Sequence, residues 1–195
     1  MTALLSMAAF ALACSISPGP VNVVALSAGA QHGLAASLRH VTGATVGFTL
    51  LLLLIGLGLH ELLARFPDLI AIVRWVGVGF LLYMAYKLAV DNGRLSADKP
   101  ARGPSFAHGA AMQWLNPKAW LASLAGMGAY AGNGDGRIVW QFAALYFVIC
   151  YLSIASWAYA GTFLRKYLRE AKRVRVFNRV MAALLAVSAM YLLME

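Results

Sequence analysis

Twice along this chain an apolar stretch long enough to cross a bilayer is broken near its middle by proline beside polar or glycine residues. The breaks are Ser17-Pro18-Gly19-Pro20 and Asn116-Pro117-Lys118. Proline removes a backbone N–H and clashes with the preceding turn, so each break frees carbonyls that hydrocarbon cannot solvate. Such breaks persist where neighbouring groups re-satisfy the backbone or where the break lines a site. Pro67, Pro100 and Pro104 fall instead in polar connectors, as ordinary punctuation.

The chain is 62% hydrophobic and 12% charged, against about half apolar and a quarter charged in soluble domains. It reads as an all-α integral membrane protein with a single domain, 1–195. Spans of about 20 residues match the hydrocarbon thickness, and roughly six such runs lie near 2–30, 41–63, 69–90, 106–132, 138–164 and 176–194. The polar connector 91–104 separates repeat one, 1–90, from repeat two, 105–195. No basic residue precedes Arg39, so the first run lacks the charged start of a cleaved signal.

The formal net charge of +9 does not point to nucleic acid, because the positive residues sit between apolar runs with no aromatic-basic reading surface. With Lys118 set aside, 12 Lys and Arg fall in the odd-numbered connectors and 3 in the even-numbered ones. Positive loops stay cytoplasmic, which places both termini outside. Three spans per half then make the halves inverted. At an offset of 99, Pro18 meets Pro117, Gly29 meets Gly128 and Gly33 meets Gly132, as an inverted repeat with broken helices 1 and 4 requires.

A half-helix that restarts after a break presents free N–H groups and the positive end of its dipole, a natural seat for a carboxylate. In the derived orientation the halves starting at Pro20 and Pro117 point these ends toward one region. Ser15, Ser17, Asn22, Gln113 and Asn116 could supply side-chain partners, and Gly19 would admit a close approach. The plain alternative is a pair of proline kinks. Lys118 is a formally charged residue near the middle of an expected span; it either neutralises a carboxylate, holds freed carbonyls, or snorkels to the interface. Cys14 and Cys150 form no CxxC or Cys/His motif and read as buried thiols. His32, His40, His60 and His108 fall at span boundaries and read as interfacial residues. Tyr83, Tyr86, Trp114, Trp120 and Trp157 are either cavity or interface aromatics. GxxxG spacings at Gly29–Gly33, Gly43–Gly47 and Gly128–Gly132 read as close-packing faces, and such a face could also serve a homodimer.

Ser-Pro-Gly-Pro followed by Asn22, the glycines at Gly29, Gly33, Gly43 and Gly47, and Asn116-Pro117-Lys118-Ala119 together resemble the LysE/RhtB family of amino-acid exporters over essentially the whole chain. The resemblance implies a multi-pass protein of the bacterial inner membrane, in which the charge count would make both termini periplasmic. It would export an amino acid or a related small metabolite against protons, with membrane lipid as its other partner and no cofactor, metal or nucleic acid. The expected substrate site comprises Ser17, Pro18, Gly19, Pro20, Asn22, Asn116, Pro117 and Lys118. Many members carry a polar or acidic residue directly after Pro-Gly-Pro; Val21 stands there in this chain, leaving proton coupling without an obvious carrier. Alternatives are export of another solute or a cation on the same scaffold, or a non-transport membrane subunit. A membrane-embedded enzyme lacks any His/Glu metal motif or Ser/His/Asp constellation to support it.

Overall fold

The computed structural model describes residues 2–59, 67–92, 103–131, 135–164, 167–168 and 170–194. Among these residues there are eight α-helices and no strand: α1 (Thr2–Ile16), α2 (Pro20–His32), α3 (Leu34–Leu54), α4 (Pro67–Ala89), α5 (Phe106–Trp114), α6 (Pro117–Ala131), α7 (Gly136–Leu164) and α8 (Ala171–Met194). Both expected breaks are present. The first separates α1 from α2 with a bend of 61°; the second separates α5 from α6 at Leu115 and Asn116. His60, most of the central connector and much of the basic run after α7 lie outside the described residues.

A third break falls where no proline stands. Gly33 adopts φ 82°, which side-chain-bearing residues rarely adopt, and it divides α2 from α3. The second apolar run therefore begins as helix at Leu34, ahead of the expected start near Val41. Two helical segments are each long and apolar enough to cross a membrane, Leu34–Gly58 and Gly136–Leu164, and the bent pair Ala3–Ile16 with Pro20–His32 makes a third if counted as one span. Asp68, Arg74 and Lys87 in α4, and Lys172, Arg173, Arg175 and Arg179 in α8, lower the apolar content of those helices.

The core is built on α3 and α7. Val41, Ala44, Phe48, Leu51 and Ile55 recur at three- and four-residue steps on one face of α3 and its continuation, and Val139, Phe142, Tyr146, Cys150 and Ile154 do so on α7; all are buried. The Phe48 and Tyr146 rings lie 4.5 Å apart across the seam. On the opposite face of α7, Trp140, Val148, Leu152, Tyr159 and Phe163 are exposed apolar residues, as a lipid-facing helix requires. The principal helix pairs are α3 with α5, α2 with α7, α4 with α8, α3 with α7, and α1 with α7.

Glycine makes two of these pairs close. A Cβ at Gly29 would run into the Ala158 carbonyl of α7, and one at Gly161 into the Leu26 carbonyl of α2. Across α3 and α5, Gly43 abuts the Phe106 carbonyl, Gly47 abuts Ala110, and Gly109 abuts the His40 carbonyl. Without a hydrophobic driving force between helices in lipid, such backbone proximity supplies dispersion contact. A Cβ added at Gly128 would meet nothing within 4 Å, so the third expected packing face has no contact at that residue; Gly132 lies outside the described residues.

Gly43→Ala is expected to destabilise the protein by about 1–3 kcal/mol through overpacking. Gly128→Ala is expected to be neutral or to stabilise by up to about 1 kcal/mol through helix propensity. Thermal unfolding midpoints in detergent, compared for the two variants, check this.

Candidate functional site

An α-helix leaves its last carbonyls without intrahelical partners. In α1 the shortage is specific: the carbonyls of Cys14 and Ile16 would have bonded the N–H groups of residues 18 and 20, both prolines. Each freed carbonyl finds a side chain. Ser17 Oγ donates to Cys14 O at 3.2 Å, and Trp157 Nε1, reaching from α7, donates to Ile16 O at 3.0 Å. Asn22 Nδ2 donates to both Ser15 O at 2.8 Å and Ser17 O at 2.9 Å. Lys118 Nζ, arriving from the other half of the chain, donates to Ser17 O at 3.2 Å and to Ser17 Oγ at 2.7 Å.

Lys118 is therefore not a snorkelling side chain. It is half-buried, and its ammonium holds the first break together. Two of its three N–H donors are used by Ser17. The ion pair formed among the described residues is Arg173 with Glu170 at 3.3 Å, far along the sequence on the surface, so the Lys118 charge has no carboxylate partner there.

The two restarting half-helices differ at their first turn. Asn116 is a conventional N-cap for α6: its Oδ1 accepts from Lys118 N at 3.2 Å, with Pro117 at the first helical position. Gly19 stands at the corresponding place before α2 and offers no side-chain cap. The N–H groups at the start of α2 are thus left open, beside the Lys118 ammonium; a Cβ added at Gly19 would lie 3.4 Å from Lys118 Nζ.

These ends meet at a cavity of about 40 Å³, well below the usual range of about 300–1,000 Å³ for small-molecule sites, so seating a solute there requires the surrounding helices to part. Gly19, Asn22, Asn116 and Lys118 of the expected site line it. Ser17 holds Lys118 behind the wall, and Pro18, Pro20 and Pro117 shape the breaks without lining the cavity. Ser15 and Gln113 also line it. Sequence reasoning missed Cys14, Phe48, Tyr146 and Cys150, which complete the wall from α1, α3 and α7. Their signal was their core-facing position at helical spacing, which reads equally well as packing. Ser15 Oγ and Thr45 Oγ1 are buried beside Cys150, whose thiol is a weak partner at best, and Ser15 also faces Tyr146.

The aromatic residues take other roles. Trp114 Nε1 donates to Gly47 O at 3.1 Å and Trp120 Nε1 to Trp114 O at 2.8 Å, so both indoles serve backbone carbonyls around the second break. Tyr83 and Tyr86 are exposed. Asn22→Leu, which keeps the side-chain volume but abandons the Ser15 carbonyl and leaves the Ser17 carbonyl to Lys118 alone, is expected to cost about 1–3 kcal/mol for the Ser15 group left unsatisfied. Thr42→Val removes only a hydroxyl bonded to Leu38 O inside its own helix, at 2.8 Å, and is expected to cost about 0.5 kcal/mol or less. Thermal unfolding of both variants in detergent checks the contrast.

Comparison with known proteins shows the family. A family model described as LysE type translocator matches residues 12–195. The cysteine/O-acetylserine efflux protein of Klebsiella pneumoniae is 30% identical over 198 residues, covering 95% of this chain and 94% of that protein. The proteins of the same name in Salmonella typhimurium and Escherichia coli strain K12 are 28% and 26% identical, each covering 92% of both chains. No solved structure matches the chain. With nearly its whole length matched, the chain belongs to the LysE type translocator family, membrane transporters rather than enzymes.

Proposed function

We propose that this protein exports a small neutral amino acid, of the kind named for its relatives, from the bacterial cytoplasm across the inner membrane in exchange for protons. The carrying observation is the cavity at which the uncapped start of α2 and the Lys118 ammonium meet. The third Lys118 donor and the α2 N–H groups hold the substrate carboxylate; Gln113, Asn116 and Asn22 supply neutral acceptors for its ammonium.

Charge argues for a neutral side chain. Among the described residues, Lys118 is the sole formally charged one lining the cavity, and no carboxylate lines it. A lysine- or arginine-like substrate would place a second cation there without a counter-charge. The rest of the wall, Phe48, Ala119, Ala122 and Ile154, suits a short apolar or thiol-bearing side chain. The relatives' names, cysteine and O-acetylserine efflux, fit that chemistry. The one observation that favours cation export is that Cys14 and Cys150 share the cavity, and the Lys118 charge opposes it.

The same reading makes the chain a six-crossing inverted repeat. Exchanging α1–α4 for α5–α8 carries the α3–α5 pair onto α7–α1 and the α2–α7 pair onto α6–α3, while α3–α7 and α4–α8 map onto themselves; all are packed pairs. That exchange supports alternating access by motion of one half against the other.

In cells lacking their own exporters and fed dipeptides, wild-type protein is expected to raise released cysteine or O-acetylserine, measured by mass spectrometry. Lys118→Ala is expected to bring release to background while inserting into the membrane normally; undiminished export by this variant would remove Lys118 from the site. Alkaline phosphatase fused after Glu195 is expected to be active, and fused after Leu168 inactive. The opposite pattern would reverse the topology.

A further inference from the structure

The cavity does not use the pair of histidines that the fold brings together. His40 on α3 and His108 on α5 were expected to be separate interfacial residues. Their ring centroids instead lie 5.9 Å apart in a T-shaped arrangement. The cause is the glycine seam: Gly109 sits against the His40 carbonyl, which forces residue 108 alongside residue 40.

His40 is completely buried, and the backbone of Val21 is the one polar group beside its ring nitrogens, without the geometry of a full hydrogen bond. His108 Nε2 is likewise buried and unpartnered. Buried polar atoms are nearly always satisfied, and an orphaned imidazole in a helix seam is a costly way to fill space. Packing does not require it. At the offset of 99 the corresponding places in the other seam, between α7 and α1, are Val139 and Ala9.

The pair also stands next to the substrate cavity. The Val21 backbone lies beside His40, and Val21 lines the cavity at the open start of α2. Of the elements around the two rings, α4 brings Lys87 to bear on His108, α5 and α3 contribute the two histidines themselves, and α2 contributes only backbone. Among the described residues no carboxylate bears on either ring.

We infer that His40 and His108 form the proton-carrying site of the transporter, a site that takes the counter-transported proton at the α3–α5 seam. This rests on the proton-exchange reading given above. The two rings take one proton on an imidazole nitrogen lone pair, and like-charge repulsion between them and from Lys87 opposes a second. A shared proton gives the orphaned nitrogens a partner only if the rings close on each other. Proton binding therefore turns the two rings toward each other and shifts α5 along the close-packed seam, and α5 leads directly into the break that carries Asn116 and Lys118. The proton thereby biases the position of the substrate-holding lysine without touching substrate.

The test uses purified full-length protein in proteoliposomes with labelled O-acetylserine. Counterflow, in which unlabelled O-acetylserine inside exchanges for labelled outside, needs no net proton movement. Accumulation driven by an acidic lumen needs proton exchange, and a difference of one pH unit supports at most about tenfold accumulation for each proton exchanged. His40→Gln and His108→Gln are expected to keep counterflow and to lose the acid-driven accumulation. Acid-driven accumulation at the wild-type level in both variants overturns the inference, as does loss of both activities in a variant that remains monodisperse by gel filtration. His108, being only partly buried, carries the test alone should His40→Gln fail to purify. Wild-type protein without counterflow would instead overturn the export reading itself, and the proton site with it.

Discussion

A carbonyl stripped of its helical partner has no water to turn to in a bilayer, and the structure depends on how that demand is met at Ser17. Lys118 answers it across about half the length of the chain, with two hydrogen bonds to one residue of the opposite half. Asn22 and Trp157 meet the neighbouring carbonyls from α2 and α7. The break is thus a junction of four helices rather than a flexible point in one. Ser17 O keeps a second donor if either Asn22 or Lys118 is removed, whereas Ser15 O and Ile16 O each rest on one side chain, whose loss costs more than that of an ordinary exposed hydrogen bond.

The same geometry creates the site. A lysine that only filled a structural role could spend all its donors on backbone, but Lys118 retains one while lining the cavity. The difference in capping sharpens this. Asn116 covers the start of α6 and Gly19 leaves the start of α2 bare, so the positive field of α2 is available to a ligand and that of α6 is partly spent. The two breaks are alike in their prolines and unlike in their capping. Glycine seams then bring the helices close enough for these short side chains to reach.

Much of this was legible beforehand because its causes are local. Proline positions dictated where helices stop, and the residues within four places of each proline dictated which carbonyls lose partners. Lys118 stood out because a charge within an apolar run has few tolerable explanations. The break at Gly33 was less legible, since a glycine inside an apolar run reads equally as a packing residue until its φ is known. Cys14, Phe48, Tyr146 and Cys150 carry no signal distinguishing a cavity wall from a packed core, because both call for apolar residues on one helix face.

By itself the sequence determined that the chain is helical and apolar, that its helices break at two proline sites, and that a lysine sits at one of the breaks. Each of these follows from composition, periodicity or the missing N–H of proline. Only the tertiary structure decided that Lys118 reaches Ser17, that Gly19 leaves one helix start open, and that His40 faces His108. Those are meetings of residues far apart in the chain, fixed by how closely backbones approach at Gly43, Gly47 and Gly109. Such approach depends on the crossing of whole helices, and no spacing along one helix encodes it.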